Sequence, residues 1–385
     1  MKILLAGGGT GGHFYPLIAV AREIVKISRQ KRLVEPKIIF ASDTPYDDKL
    51  LFEENIKFLK LPAGKLRRYF SLLNFIDPVK TLLGVFLAFI KIYFEMPDIV
   101  FSKGGYASMP VLLAARFFKI PLIIHESDSV PGRANSFAKK FAEKIAISFA
   151  ESAEYFLKSK TARTGNPVRK TVIGGNFNES KEIFNLSSSV SEKGDEFSPP
   201  VVLIIGSSQG ARKINELVLE ILPDLLGKYQ IIHQCGVKNF EETKKISETI
   251  LKDSDKKDRY HLFGFLDEAQ YRNASFAASL IVSRASAGAI FEIASWSKPS
   301  ILAPITDSAQ NHQRENAWNY ARTGAAEVIE ETNLTPHIFL SELNNILTNK
   351  EKMKKMAEAA KNFSRPDAAE KIAEEIINLA LKHAD

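Results

Sequence analysis

A glycine-rich turn, Gly7-Gly8-Gly9-Thr10-Gly11-Gly12-His13, sits between an apolar run and a helical pattern. Its glycines let the backbone approach an anion or a sugar closely, and a helix start offers free N–H groups at the positive end of the dipole. Gly7, Gly9 and Gly12 also satisfy the dinucleotide spacing G-x-G-x-x-G, so a nicotinamide-binding domain is one reading. The acidic residue which that reading requires about 20 residues on has no clear place, because Asp43 lies past the second strand. His13, directly after the glycines, adds an imidazole able to take a hydroxyl proton near neutral pH. The plainer alternative is a hydrogen-bonding residue at a helix start.

Two more polar turns follow apolar runs in the first half. Ser102-Lys103-Gly104-Gly105-Tyr106 offers a phenol and an aromatic face for a sugar ring. His125-Glu126-Ser127-Asp128 places an imidazole and two carboxylates together, with Glu126 and Asp128 as candidate bases or hydroxyl-binding groups. No second His/Cys cluster with metal-ligand spacing accompanies them, so a zinc site is a poor reading. In the second half, Gly206–Ala211, which includes Ser208, presents N–H groups and small hydroxyls suited to a diphosphate. Arg169 could meet that charge. Arg284 opens a third small-residue turn, and Glu292, one turn into the helix behind it, could bind ribose hydroxyls. His312 and Gln313 could hydrogen-bond a sugar.

These turns need strands and helices to hold them. Lys2–Ala6, Lys37–Ala41, Ile99–Ser102, Leu122–His125 and Lys144–Ile147 read as strands, with a helix over Pro16–Ser28. The alternation implies a parallel sheet covered on both faces. Residues 176–200 have linker composition and end in Pro199-Pro200. Strands expected at Val201–Ile205, Tyr229–Gln234, Tyr260–Phe263, Leu280–Ser283 and Ser300–Ala303 then repeat the pattern. The expectation is an α/β chain of two doubly wound domains, residues 1–175 and 201–349, facing a cleft. Helices over residues 350–385, broken near Pro366, carry apolar positions Ala369, Ile372, Ile376 and Leu379 that must pack, and the N-terminal domain is the expected surface.

The length of 385 residues accommodates two such domains, and 45% hydrophobic with 25% charged residues excludes a disordered or collagen-like chain. The lone Cys235 excludes an intrachain disulfide framework and fits a reducing compartment. The apolar start is too short for a signal peptide, and a cytoplasmic protein is expected. Residues 1–175 hold 27 Lys and Arg against 15 Asp and Glu, while the remainder holds 25 against 30. A basic first half suggests a face for an anionic partner: nucleic acid, phosphorylated ligand or lipid. Within Tyr69–Met96, Leu82, Phe86 and Phe89 belong to a very apolar segment edged by Arg67, Arg68 and Lys80. Gly84 and Lys91 interrupt it, so an interfacial element touching anionic lipid fits better than a spanning helix. A buried helix is the alternative.

The motifs Gly-Gly-Thr-Gly-Gly-His, Lys-Gly-Gly-Tyr, His-Glu-Ser-Asp-x-x-Pro-Gly, Thr-Gly-Asn-Pro-Val-Arg, Gly-Ser-Ser-Gln-Gly-Ala, Ser-Arg-Ala and His-Gln-x-x-Asn-Ala occur in that order. Together they resemble the MurG family of bacterial peptidoglycan glycosyltransferases over nearly the whole chain. The resemblance implies a GT-B fold of two Rossmann-like domains and an inverting transfer with no cofactor or required metal. GlcNAc would pass from UDP-GlcNAc to the 4-hydroxyl of undecaprenyl-diphospho-MurNAc-pentapeptide, by a peripheral protein on the cytoplasmic side of the membrane, with no nucleic acid partner. It further implies that Thr10, Gly11, Gly12, Asp128, Arg169, Ser208, Leu266 and Gln313 line the UDP-GlcNAc site, with Arg284 and Glu292 near the nucleotide. His13 would be the base, with Tyr106 and Asp128 on the acceptor side. Two departures stand out: Asp128 replaces the Asn of many members, making it a rival base, and Ala289 replaces a frequent Thr. Another lipid-acceptor GT-B transferase, such as a diacylglycerol glycosyltransferase, is the nearest rival; a UDP-GlcNAc epimerase and a non-enzymatic scaffold are further ones.

Overall fold

A computed structural model describes residues 1–64, 73–186, 189–190, 196–206, 211–306 and 311–382. The chain divides into two compact units, Met1–Arg169 with Arg365–Asp385, and Lys170–Ser364.

The first unit holds a parallel sheet of β1 (Lys2–Ala6), β2 (Lys37–Ser42), β3 (Lys57–Lys60), β4 (Ile99–Ser102), β5 (Leu122–Glu126), β6 (Lys144–Ile147) and β7 (Thr161–Arg163). Their order is β3-β2-β1-β4-β5-β6-β7. Strand β1 is apolar because it is covered twice: Ile3 and Leu5 enter the core on one face, Leu4 and Ala6 the core on the other. The helix Gly11–Gln30 lays Phe14, Leu17, Ile18 and Ile24 on the first of these faces. It starts at Gly11 rather than at the expected Pro16. The glycine turn itself enters the helix, and Pro16, which has no N–H, falls in the second turn. The helix Ala368–Lys382 completes the same core with Ala369, Ile372, Ile376 and Leu379.

The second unit repeats the plan. A short antiparallel pair, β8 (Ser189–Val190) and β9 (Glu196–Phe197), precedes β10 (Val201–Ile205), β11 (Gln230–Gln234), β12 (Tyr260–Phe263), β13 (Leu280–Ser283), β14 (Ser300–Leu302) and β15 (Ala326–Val328). The last six form a parallel sheet in the order β12-β11-β10-β13-β14-β15. The segment expected as a linker opens with a helix, Phe177–Phe184. Asn176 caps it by accepting from Asn178 N–H at 2.8 Å, and Phe184 is buried edge-on to Phe263. The helix Lys350–Phe363 belongs to this unit, with Phe363 against Phe291 and Tyr320.

In both sheets the strand order reverses beside the first strand, between β1 and β4 and between β10 and β13. At such a point the two neighbouring strands send their connections to opposite faces, leaving a crevice at their carboxyl ends.

Ile376 is fully buried where the last helix meets the first. Ile376→Ala should therefore cost about 2–5 kcal/mol, read as a lower denaturant midpoint for the first unit.

Candidate functional site

The crevice of the first unit begins at Thr10, whose extended backbone starts the helix at Gly11. Its hydroxyl lies 3.2 Å from His13 Nδ1. If the hydroxyl accepts from Nδ1–H, Nε2 keeps the lone pair that a base requires. Burial drives the His13 imidazole down to about 4; Lys103 reinforces that, while Asp128 and the Gly8 backbone oppose it. The ring is therefore neutral at physiological pH, with a positive and a negative side chain both within electrostatic reach.

The turns after β1 and β4 approach each other through glycines. Gly9 adopts φ +82°, and a Cβ there would lie 2.9 Å from the Tyr106 hydroxyl. Gly105 adopts φ +81°, and its Cβ would lie 3.3 Å from the His13 ring. Both positions combine a left-handed backbone with a close side chain, so only glycine fits without strain. Lys103 N–H donates to Ala6 O at 2.9 Å, tying the two strand ends together. The Tyr106 hydroxyl donates to Asp43 Oδ2 at 2.8 Å. Asp43 directly follows β2, where a dinucleotide-binding domain carries its ribose-binding acid, so its position does not by itself count against that reading, contrary to the expectation from sequence. Here that carboxylate orients a phenol. Pattern reading found no partner for Asp43, because 63 residues separate it from Tyr106.

The end of β5 supplies the polar centre. Glu126 is buried and accepts from Asp128 N–H at 3.1 Å, Gly132 N–H at 3.0 Å and Asn135 Nδ2 at 2.9 Å. Burial, and then the Asp128 charge, push its carboxyl up to about 7 despite these donors. Asp128 is half-buried on the turn that Glu126 holds. Arg169 is buried with its guanidinium 3.8 Å above the Tyr15 ring, on the helix that carries Gly11 and Gly12.

The second unit carries Leu266, Arg284, Glu292 and Gln313 on the segments that follow β12, β13 and β14. Gln234, at the end of β11, accepts from Leu266 N–H at 3.2 Å and donates to Gly206 O at 3.1 Å. It thereby links the turns after β10 and β12. Ser286 caps the helix Ala287–Ser295 by accepting from Ala289 N–H at 3.3 Å. Glu292, on that helix, accepts from the Tyr271 hydroxyl at 2.9 Å. Gln313 accepts from Ile305 N–H at 3.2 Å. Arg284 is buried, donating to Ala303 O at 3.0 Å and to Glu331 at 2.6 Å. Burial alone would raise the Glu331 carboxyl, yet the Arg284 bond and charge and the Thr306 donors hold it below its ordinary value. No pattern pointed to Glu331. Ser208 lies outside the described residues.

Among the described residues, no group of three or more His, Cys, Asp or Glu gathers in a way that could hold a metal ion, and no helix is long and apolar enough to cross a membrane. The helix Leu73–Glu95 is two-sided. Gly84 lies against Pro62 O, and Ala88 and Ile92 are buried, while Leu82 is 69% and Phe86 63% exposed. Val79, Leu83, Ile90 and Phe94 extend the exposed side. Phe89 does not share it. Its ring is half-buried against Phe117 and Phe118.

The N-terminal domain of glycosyltransferase family 28 matches residues 3–147, and the C-terminal domain of that family matches residues 201–372. A Clostridium tetani protein named UDP-N-acetylglucosamine–N-acetylmuramyl-(pentapeptide) pyrophosphoryl-undecaprenol N-acetylglucosamine transferase is 35% identical over 91% of this chain and 91% of its own length. The crystal structure of Acinetobacter baumannii MurG covers 98% of this chain, and 99% of that one, with TM-score 0.70 and 25% identity. The chain belongs to the MurG family. Its fold is the two-domain GT-B arrangement of Rossmann-like units. A putative UDP-N-acetylglucosamine 2-epimerase from Listeria monocytogenes shares that fold at TM-score 0.67 but only 17% identity, covering 100% of this chain and 97% of its own. Architecture alone therefore does not choose the chemistry.

The lowered His13 makes a checkable statement about stability. The folded state binds the neutral ring, so this contribution is complete above about 6.5 and is lost as pH falls through about 4. Across that window His13→Gln should melt with a shallower dependence on pH than the unsubstituted protein.

Proposed function

We propose that the chain transfers GlcNAc from UDP-GlcNAc to the 4-hydroxyl of MurNAc in undecaprenyl-diphospho-MurNAc-pentapeptide, with inversion at the anomeric carbon. The likeness of nine-tenths of the chain to a transferase of that name carries this reading. The chemistry asks for a base at the acceptor hydroxyl and a sink for the charge developing on UDP. His13 takes the proton, since burial keeps its ring neutral and able to accept one. Asp128 supports it from the turn after β5, and Tyr106, held by Asp43, orients the acceptor sugar. Thr10, Gly11, Gly12, Asp128 and Arg169 are the first unit's proposed contacts to the donor. Ser208, Leu266, Arg284, Glu292 and Gln313 are the second unit's. A helix N-terminus, with Arg169 or Arg284, stabilises the departing diphosphate.

The acceptor is anchored in lipid, so the protein must work at a surface. The exposed side of the Leu73–Glu95 helix, with Leu82 and Phe86 at its centre and exposed Lys80 nearby, is the proposed contact with anionic membrane. The protein then sits peripherally on the cytoplasmic side, where nucleotide sugars are available and Cys235 stays reduced.

UDP should be released from UDP-GlcNAc only when the lipid-linked MurNAc-pentapeptide is present, and release should survive EDTA. Release without acceptor would replace transfer by hydrolysis or epimerisation. His13→Ala should lower kcat by about 10²–10⁴ while UDP-GlcNAc affinity, read by calorimetry, stays within about twofold. Equal losses in both would remove His13 as the base. Leu82→Asp with Phe86→Asp should weaken binding to vesicles containing anionic lipid at least about tenfold without lowering the melting temperature, because both side chains are exposed.

A further inference from the structure

Lys103 is 1% exposed, deep beneath the turn that carries Tyr106. Its ammonium lies 2.7 Å from His125 Nδ1 and 2.6 Å from Asn166 Oδ1, and it also donates to Ser127 Oγ. His125 Nε2 lies 2.9 Å from Gly165 O, a pure acceptor, so Nε2 carries the ring proton. Burial, then the Lys103 charge, keep His125 well below its ordinary value, hence neutral, with the Nδ1 lone pair free to accept. Three ammonium protons thus meet three neutral acceptors, one each on β5, on the turn after it and on the Gly165-Asn166 loop. Among the described residues, no carboxylate lies within hydrogen-bond distance of the cation, whose partners are His125, Ser127 and Asn166.

We propose that Lys103 is a positioning residue for the transfer: it clamps the Ser127-Asp128 turn and the Asn166 loop to the end of β4 and keeps a buried positive charge beside His13. This rests on the transferase reading above. The groups facing Lys103 are His125, Glu126 and Asp128 from β5 and its turn and His13 from the first helix, with Asn166 and Ser127 as uncharged ligands. Burial pulls Lys103 down to about 7, while Glu126 and Asp128 support its charge. The positive charge in turn disfavours protonation of His13. Removing it therefore makes both His13 and Glu126 easier to protonate, so the acid limb of the transfer profile moves to higher pH whichever of them governs it.

The test uses Lys103→Gln, which keeps hydrogen-bond donors without the charge, and Lys103→Met, which keeps neither. The acid limb of kcat/KM for acceptor-dependent UDP release should move up by about one pH unit in both variants. The His13 imidazole, followed by NMR in the substrate-free protein with labelled histidine, should titrate higher by a similar amount. Only Lys103→Met should also raise KM for the acceptor, because it alone frees the Ser127-Asp128 turn. A lower rate with an unmoved limb and an unmoved His13 would make Lys103 merely structural and overturn the proposal, as would failure of both variants to fold. Unsubstituted protein without acceptor-dependent release would instead sink the transferase reading. The NMR titration would still decide whether the charge acts on His13.

Discussion

Neighbouring strands β1 and β4 run parallel and send their connections to opposite faces of one sheet, and that constraint places Thr10, His13 and Tyr106. The crevice left at their ends must be lined by turns rather than by helices. Turns that pass this close need glycine, hence Gly9 beneath Tyr106 and Gly105 beneath His13. Strand β5, next in order, adds its own polar end to the same row. The second unit solves the same problem at β10 and β13, with Gln234 bracing two of its turns.

Electrostatics follows from that crowding. His13, Lys103 and Glu126 all lose hydration at one spot, and for each of them burial is the largest influence on protonation. Burial favours neutral forms throughout, so the site tends toward a neutral imidazole, a weakened ammonium and a weakened carboxylate. A neutral imidazole is the form that accepts a proton. The ammonium has all three donors matched, and the Glu126 and Asp128 charges support it against burial. Arg284 in the other unit is the contrasting case, a buried cation matched directly by the Glu331 carboxylate.

The central strands were legible because they are buried on both faces and read as continuous apolar runs. Strands β3, β7 and β15 were not, and each lies at the edge of its sheet. Thr161-Ala162-Arg163 and Ala326-Glu327-Val328 are too short and too polar to signal a strand without a neighbour to pair with. The helix Phe177–Phe184 was hidden by linker-like composition, its evidence being one cap and one buried ring. At the site, the glycine turns and the residues on them could be read from spacing. The partners that orient them, Asp43 for Tyr106 and Glu331 for Arg284, lie 63 and 47 residues away and leave no local trace. Phe89 shows the same limit within one helix, since apolar content alone does not say which ring faces a neighbour.

The last helix, Ala368–Lys382, is a structural member of the first unit's core, although the whole second unit intervenes in the chain. Synthesis therefore delivers the two units out of order. The sheet of the first unit leaves the ribosome early, yet one side of its first helix stays uncovered while nearly 200 further residues are made, roughly 10–40 s at ordinary elongation rates. The second unit, continuous from Lys170 to Ser364, can close before the first one does. A growing chain thus carries an apolar surface through most of its translation, and the cell's holding chaperones have that interval in which to find it.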